Sequence, residues 1–210
     1  MTGLRQRQKA DRNRRMLEAA AHLFREQGFH AARIEDIAAE AEVSAGTIYN
    51  YFGTKGDVLL SLVAMEVEEV LQAGATVVAD PPADVARALS DLISVYYDHS
   101  LVWLSKEMWR AAMALWLAEP DTPFSRRYTE LDGLLSDQVS DLVTVLQRRG
   151  QVRAGVDARA AGAAVFNTLN MLFIAFVRDE RMPLDALKAE VARQTAPLAR
   201  LMATAAGAHA

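Results

Sequence analysis

Between Ser44 and Lys55 the chain concentrates groups that could do chemistry on a polyanion: Ser44, Thr47, Tyr49, Asn50, Tyr51 and Lys55, behind the small residues Ala45 and Gly46. Hydroxyl, phenol and amide groups hydrogen bond to phosphate oxygens, and an ammonium neutralises one. Thr47 could exchange a hydrogen bond with a base edge and set its methyl against thymine. Ala45 and Gly46 would let a helix approach another surface closely. The alternative for the two tyrosines is ordinary packing, and for Lys55 an exposed surface position.

These residues need an element to hold them. A helix relying on its own propensity would not choose Thr47, Ile48, Tyr49, Asn50, Tyr51 and Phe52, nor Gly46 in its first turn. Ser44 can cap such a helix and Gly53 can end it. Residues 33–41 place Ile34, Ile37, Ala38 and Ala41 on one face of a short preceding helix. Residues 12–27 place Leu17, Ala20, Ala21 and Phe24 at i, i+3, i+4 and i+7 before the stop at Gly28. The second helix, a tight turn and the third helix read as a helix-turn-helix that enters a DNA major groove amino end first. Its core would be Ile37, Ala38, Val43 and Ile48, joined by Phe24 and Phe52. Thr54-Lys55-Gly56-Asp57 has the form of a capping box opening a fourth helix that reaches about Ala75.

The remaining segments are a stretch from Pro81-Pro82 to Ser100, then 101–118, 124–149, 157–178 and 184–204, separated by prolines and glycines. With no strand alternation and no repeat, the expected fold class is all-α, about nine helices. A basic arm and helix-turn-helix domain (1–53) would join a larger helical domain (54–210). A chain of 210 residues, 51% hydrophobic, can build one good core and a small module. The absence of cysteine excludes disulfides, thiolate metal sites and a cysteine nucleophile, and it fits a reducing compartment. MTGLRQRQKADRNRR has no apolar core after its charges, so no secretory signal is expected and a cytoplasmic location is. Residues 1–15 set six basic side chains against Asp11 alone, an arm that could follow a polyanion or be a solvated terminus. Residues 160–177 are uncharged and nearly long enough to span a bilayer, but Gly162, Asn167, Thr168 and Asn170 favour a helix enclosed by protein on every side. His22, His30, His99 and His209 are dispersed, and no glycine-rich loop follows a strand. No catalysis, metal or cofactor is expected.

Residues 14–60, RRMLEAAAHLFREQGFHAARIEDIAAEAEVSAGTIYNYFGTKGDVLL, resemble the amino-terminal domain of TetR-family transcriptional regulators. The resemblance covers about a fifth of the chain and rests on LF-x-E-x-G-F, on IA-x-x-A-x-VS-x-GT-x-Y-x-YF and on the lysine that follows after a two-residue gap. It implies that Ala45, Gly46 and Thr47 meet the groove while Tyr49, Tyr51 and Lys55 meet phosphates, with Ser44 and Asn50 in the same surface. There are three departures from the family pattern, at four positions. Glu42 stands where the turn usually has glycine, Ala32 and Arg33 where helix two usually starts with threonines, and Gly56 where a glutamate is usual. Arg33 could supply a charged phosphate contact in place of a threonine, and Asp57 could stand in for the glutamate.

The resemblance also implies a homodimer paired through the last two helices, a palindromic operator and a small effector, apolar or aromatic, bound in the larger domain. Side chains that could line such a site are His99, Trp103, Met108, Trp109, Met113, Trp116, Phe166, Asn167, Asn170 and Met171. Trp109, Ala112, Met113 and Trp116 share one helical face, and Leu104, Met108, Ala111 and Leu115 another, so burial on two sides is expected. Plain core packing explains each of these residues singly. Asn167 and Asn170 need polar partners if buried: a ligand, a partner helix or neighbouring backbone. Two rival readings are an architectural DNA-binding protein without effector and a helical enzyme or carrier that keeps a DNA-binding-like module.

Overall fold

The computed structural model describes residues 2–205 and 207; His209 and the side chain of Arg5 lie outside that set. Among the described residues are nine helices: α1 (Thr2–Gln27), α2 (Ile34–Glu40), α3 (Ala45–Phe52), α4 (Lys55–Ala79), α5 (Val85–His99), α6 (Lys106–Ala118), α7 (Pro123–Arg148), α8 (Ala158–Arg178) and α9 (Leu184–Met202). The fold is all-α, and the sole β-type pairing among those residues is one bridge, Val152 to Ala203.

Two compact units emerge from the packing. The first comprises Met1–Glu66 and Trp103–Tyr128, the second Val67–Val102 and Thr129–Ala210. In the first, α1 packs on α2 and α2 on α3, around Leu17, Ala20, Phe24, Ile37, Ala38 and Ile48, each under 5% exposed. Val43 and Phe52, expected in this core, lie at its edge, half-buried. In the second unit α9 packs against α5 and α8.

Two helices differ from the sequence expectation. Helix α1 begins at Thr2 rather than near residue 12, so the basic terminal segment is helical. Its Arg, Gln and Lys residues are good helix formers and outnumber the weaker Thr2, Gly3, Asp11 and Asn13. Helix α6 begins at Lys106 rather than at residue 101. Residues 100–104 turn instead, with Ser100 Oγ donating to the Tyr97 carbonyl at 2.9 Å and Val102 N–H to the His99 carbonyl at 2.8 Å, and the Ser105 hydroxyl then caps α6 by accepting from Met108 N–H at 3.3 Å.

Helix α8 is long and apolar enough to cross a bilayer by length and composition, yet only 39% of its most apolar window is buried. The expectation that it is enclosed on every side does not hold for the single chain. Ala164, Asn167, Met171, Ala175 and Arg178 form an exposed stripe, while Val165, Phe166, Leu169, Phe176 and Val177 are buried. The buried face comes very close to α7 at Gly162, where an added Cβ would stand 2.4 Å from Ser140 Cα and 2.7 Å from its backbone nitrogen. Those atoms cannot rotate away. Gly162→Ala should therefore destabilise the fold by about 1–3 kcal/mol, the usual range for overpacking, measured as a lower midpoint in chemical denaturation with an unchanged slope.

Candidate nucleic-acid interface

The third helix is held by its ends and by one buried side chain. Ser44 Oγ accepts from Thr47 N–H at 3.2 Å and shares a 2.9 Å hydrogen bond with Thr47 Oγ1. Gly53, at φ 90°, closes the far end with its N–H on the Tyr49 carbonyl at 2.9 Å. Ile48 points into the core at 1% exposure. The opposite stripe, Gly46, Tyr49 and Asn50, is exposed, with Ala45, Thr47 and Tyr51 half-buried beside it. Ser44 and Thr47 thus use their hydroxyls on each other in the free protein, and Tyr49 presents its ring to solvent.

The turn before α3 works without glycine. Glu42 adopts φ 56°, the only positive φ outside glycine among the described residues, and Val43 N–H reaches back to the Ala38 carbonyl at 2.9 Å, a left-handed helix stop. Its carboxylate lies 3.5 Å from Arg15, but both side chains are well exposed and the pair adds little. Arg33 caps α2 without any side-chain hydrogen bond to the helix end and is exposed beside Glu35 at 3.4 Å.

At the start of α4 the capping box forms as expected. Thr54 N–H and Oγ–H donate to Asp57 Oδ2 at 3.0 and 2.6 Å, and Asp57 N–H donates to Thr54 Oγ1 at 3.1 Å. Lys55 does something the sequence did not disclose. Its ammonium donates to the carbonyls of His30 at 2.9 Å and Ala32 at 3.0 Å, and lies 4.9 Å from the Phe29 ring centroid. The same turn is gripped from α6, where both carboxylate oxygens of Glu107 accept from Phe29 N–H at 3.2 and 3.3 Å. Glu107 was not among the sequence candidates. A glutamate in the first turn of a helix reads as a dipole partner, and nothing local signals a contact 78 residues away.

The candidate effector residues fall into two groups. Trp103, Met108, Trp109, Met113 and Trp116 belong to the first compact unit; His99, Phe166, Asn167, Asn170 and Met171 belong to the second. Met108 is fully buried, with its sulfur accepting from Ser105 N–H at 3.5 Å, so it serves core and cap. Trp109 is buried, Trp103, Met113 and Trp116 are half-buried, and Trp116 stacks on Tyr128 at 5.4 Å. In the second unit Phe166 is buried and His99 sits 3.5 Å from Glu69. Asn167 and Met171 lie on the exposed stripe of α8, so Asn167 is not the buried amide expected. Asn170 is half-buried and donates to Asp132 on α7 at 3.1 Å. Burial pushes the Asp132 carboxyl up to about 6, against the lowering effect of that hydrogen bond.

A short helix set in a tight turn, capped by Ser44 and exposing Gly46, Tyr49 and Asn50, defines a helix-turn-helix DNA-binding protein. Residues 16–62 match the family described as bacterial regulatory proteins, tetR family. The fatty acid metabolism regulator protein of Bacillus subtilis is 26% identical over 192 residues, 88% of this chain and 94% of that protein. A TetR-family regulator from Pectobacterium atrosepticum superposes with TM-score 0.73 at 19% identity, over 93% of this chain and 95% of the other. Thermus thermophilus FadR, a TetR-family repressor solved in complex with lauroyl-CoA, gives TM-score 0.64 at 25% identity over 89% and 92%. The amino-terminal part of the chain thus matches the tetR family model, and the chain as a whole is similar in fold to TetR-family transcriptional regulators.

Two outcomes test this geometry. Glu42→Gly should raise stability by about 0.5–1 kcal/mol, because glycine carries no Cβ penalty at φ 56°; no gain in denaturation midpoint would show that the turn is unstrained. Asp132 binds its proton more tightly folded than unfolded, so its contribution to stability is full below about pH 4 and is lost as pH rises towards about 6. Asp132→Asn should flatten that part of the pH profile of thermal unfolding.

Proposed function

We propose that the protein is a homodimeric repressor that binds a palindromic operator through α3 and leaves it when a small, mainly apolar ligand binds. In this reading residues 1–53 are the DNA-binding domain and residues 54–210 the effector and dimerisation domain. The observation that carries it is the α3 surface: small residues Ala45 and Gly46 at its amino end, Thr47 behind them, and Tyr49, Asn50 and Tyr51 along the side, with Arg33 and Lys55 flanking. Ala45, Gly46 and Thr47 meet base edges, and Ser44, Tyr49, Asn50 and Tyr51 meet phosphates. Two N–H groups of Lys55 serve His30 and Ala32, and its third is left to meet a phosphate at the amino end of α4.

Dimerisation is supported by the exposed stripe on α8. A helix this apolar with Ala164, Met171 and Ala175 in water is a surface for a second copy, and α9 adds Leu201 at 65% exposure. A two-fold pair of recognition helices fits two half-sites about one DNA turn apart. For the effector, the lauroyl-CoA held by the Thermus protein and the fatty acid metabolism role in the name of the Bacillus relative favour a fatty-acyl thioester, whose acyl chain is the apolar part. Trp103, Trp109, Met113 and Trp116 supply apolar wall of the kind an acyl chain takes. The reaction is binding, not catalysis, and the expected location is cytoplasmic.

The test is selection of purified protein against random duplex DNA, followed by titration of the bound complex with acyl-CoAs of increasing chain length and with free CoA. A palindrome should be enriched and released by long-chain acyl-CoA at micromolar levels, with free CoA inert. Enrichment of one palindrome that no acyl-CoA releases would remove the effector assignment and favour the architectural reading.

A further inference from the structure

We propose that Gln6, Lys9 and Asn13 on α1, together with Asn50 on α3, bind a phosphodiester of the duplex flanking the bases that α3 meets. This deepens the DNA-binding reading above and rests on it. Because α1 is continuous from Thr2, residues 6, 9, 10 and 13 recur at helical spacing on one face. With Asn50 and Tyr51 they line an open groove.

The chemistry of that lining is one-sided. It holds three carboxamides, one ammonium and one phenol, and no carboxylate. The Lys9 ammonium lies 5.9 Å from the Tyr51 ring centroid, at the outer limit of a cation–π contact. Among the described residues no carboxylate pairs with it, whereas Arg14 is taken by Glu18 at 2.9 Å and Arg15 faces Glu42 at 3.5 Å. Gln6, Lys9 and Asn50 are exposed and Asn13 is half-buried. A cation ringed by amide donors suits a phosphodiester, which accepts charge-assisted hydrogen bonds from both.

Continuity identifies the occupant. Asn50 belongs both to this groove and to the exposed stripe of α3, so a duplex laid on that stripe brings a backbone to the groove. A backbone contact here positions the protein and carries no sequence information. Its signature is therefore a change in affinity and salt dependence with no change in preference.

The experiment measures affinity of the full chain for its selected duplex across a salt series, for wild type, Lys9→Gln and Asn13→Asp, on full-length and end-trimmed DNA. Lys9→Gln should weaken binding roughly three- to tenfold at moderate salt and lower the slope of log affinity against log salt by about one. The ranking of sequences should stay the same. Asn13→Asp should weaken binding further, and trimming the ends should erase the difference between wild type and Lys9→Gln. Thermal unfolding should not change, since Lys9 is exposed. An unchanged slope and affinity in Lys9→Gln, with wild type still selecting a palindrome, would overturn the groove alone. A wild type that selects no sequence would overturn the DNA-binding reading and the groove with it. Inorganic phosphate that competes equally on full-length and trimmed DNA, and only when Lys9 is present, would assign the groove to a free anion and overturn the duplex assignment.

Discussion

The arrangement of the helix-turn-helix depends on one ammonium. Lys55 holds the carbonyls of His30 and Ala32 from the first residue of α4, with the Phe29 ring beneath it. Those carbonyls belong to the turn between α1 and α2, which has no helix of its own to satisfy them. A positive charge at a helix amino end is disfavoured by the macrodipole, but two carbonyl oxygens and an aromatic face outweigh that here. Glu107 fixes the same turn by accepting from Phe29 N–H. The turn sets where α2 begins, and α2 sets the Glu42 stop from which α3 departs. The angle of α3 is thus decided in part by side chains outside it, Lys55 on α4 and Glu107 on α6.

What the sequence disclosed was local. The Ser44 cap and the Thr54 and Asp57 box each join partners three residues apart, so residue type and spacing suffice. The burial of Ile37, Ala38, Ile48 and Phe24 followed from helical period alone. The contacts that tie helices together escaped notice, since Lys55 reaches 23 and 25 residues back and Glu107 reaches 78. The amino-terminal turns of α1 escaped for a different reason. Their residues are polar on every side, so no hydrophobic period marks them, and a helix there reads as an arm.

Helix α8 shows the limit of composition as a guide to environment. An apolar sequence states that water is unfavourable and does not state what replaces it. Lipid, the protein's own core and a second subunit are all consistent with residues 160–177. The structure assigns the face containing Val165, Leu169 and Phe176 to the core and leaves the face containing Ala164, Asn167 and Met171 outside it. In the proposed dimer Asn167 has a role open to it that a buried amide would not, because a self-complementary pair of amides across a two-fold axis would satisfy donor and acceptor at once.

The position of α6 constrains how an effector could act. Its residues cluster with α1, α2, α3 and the start of α4. Two of its side chains touch the framework of Lys55: Glu107 at Phe29, and Leu115, whose Cδ1 is 3.6 Å from where a Cβ on Gly56 would stand. A ligand bound against Trp109 or Trp116 therefore needs no relay through distant elements in the proposed mechanism. A shift of α6 along its axis would draw Glu107 from the turn and Leu115 from the first turn of α4 together, leaving Lys55 alone to hold α4 to that turn. The magnitude of release equals the ligand's preference for the shifted α6 over the present one. A molecule that fits among the tryptophans without moving α6 would bind, however tightly, and leave the operator occupied.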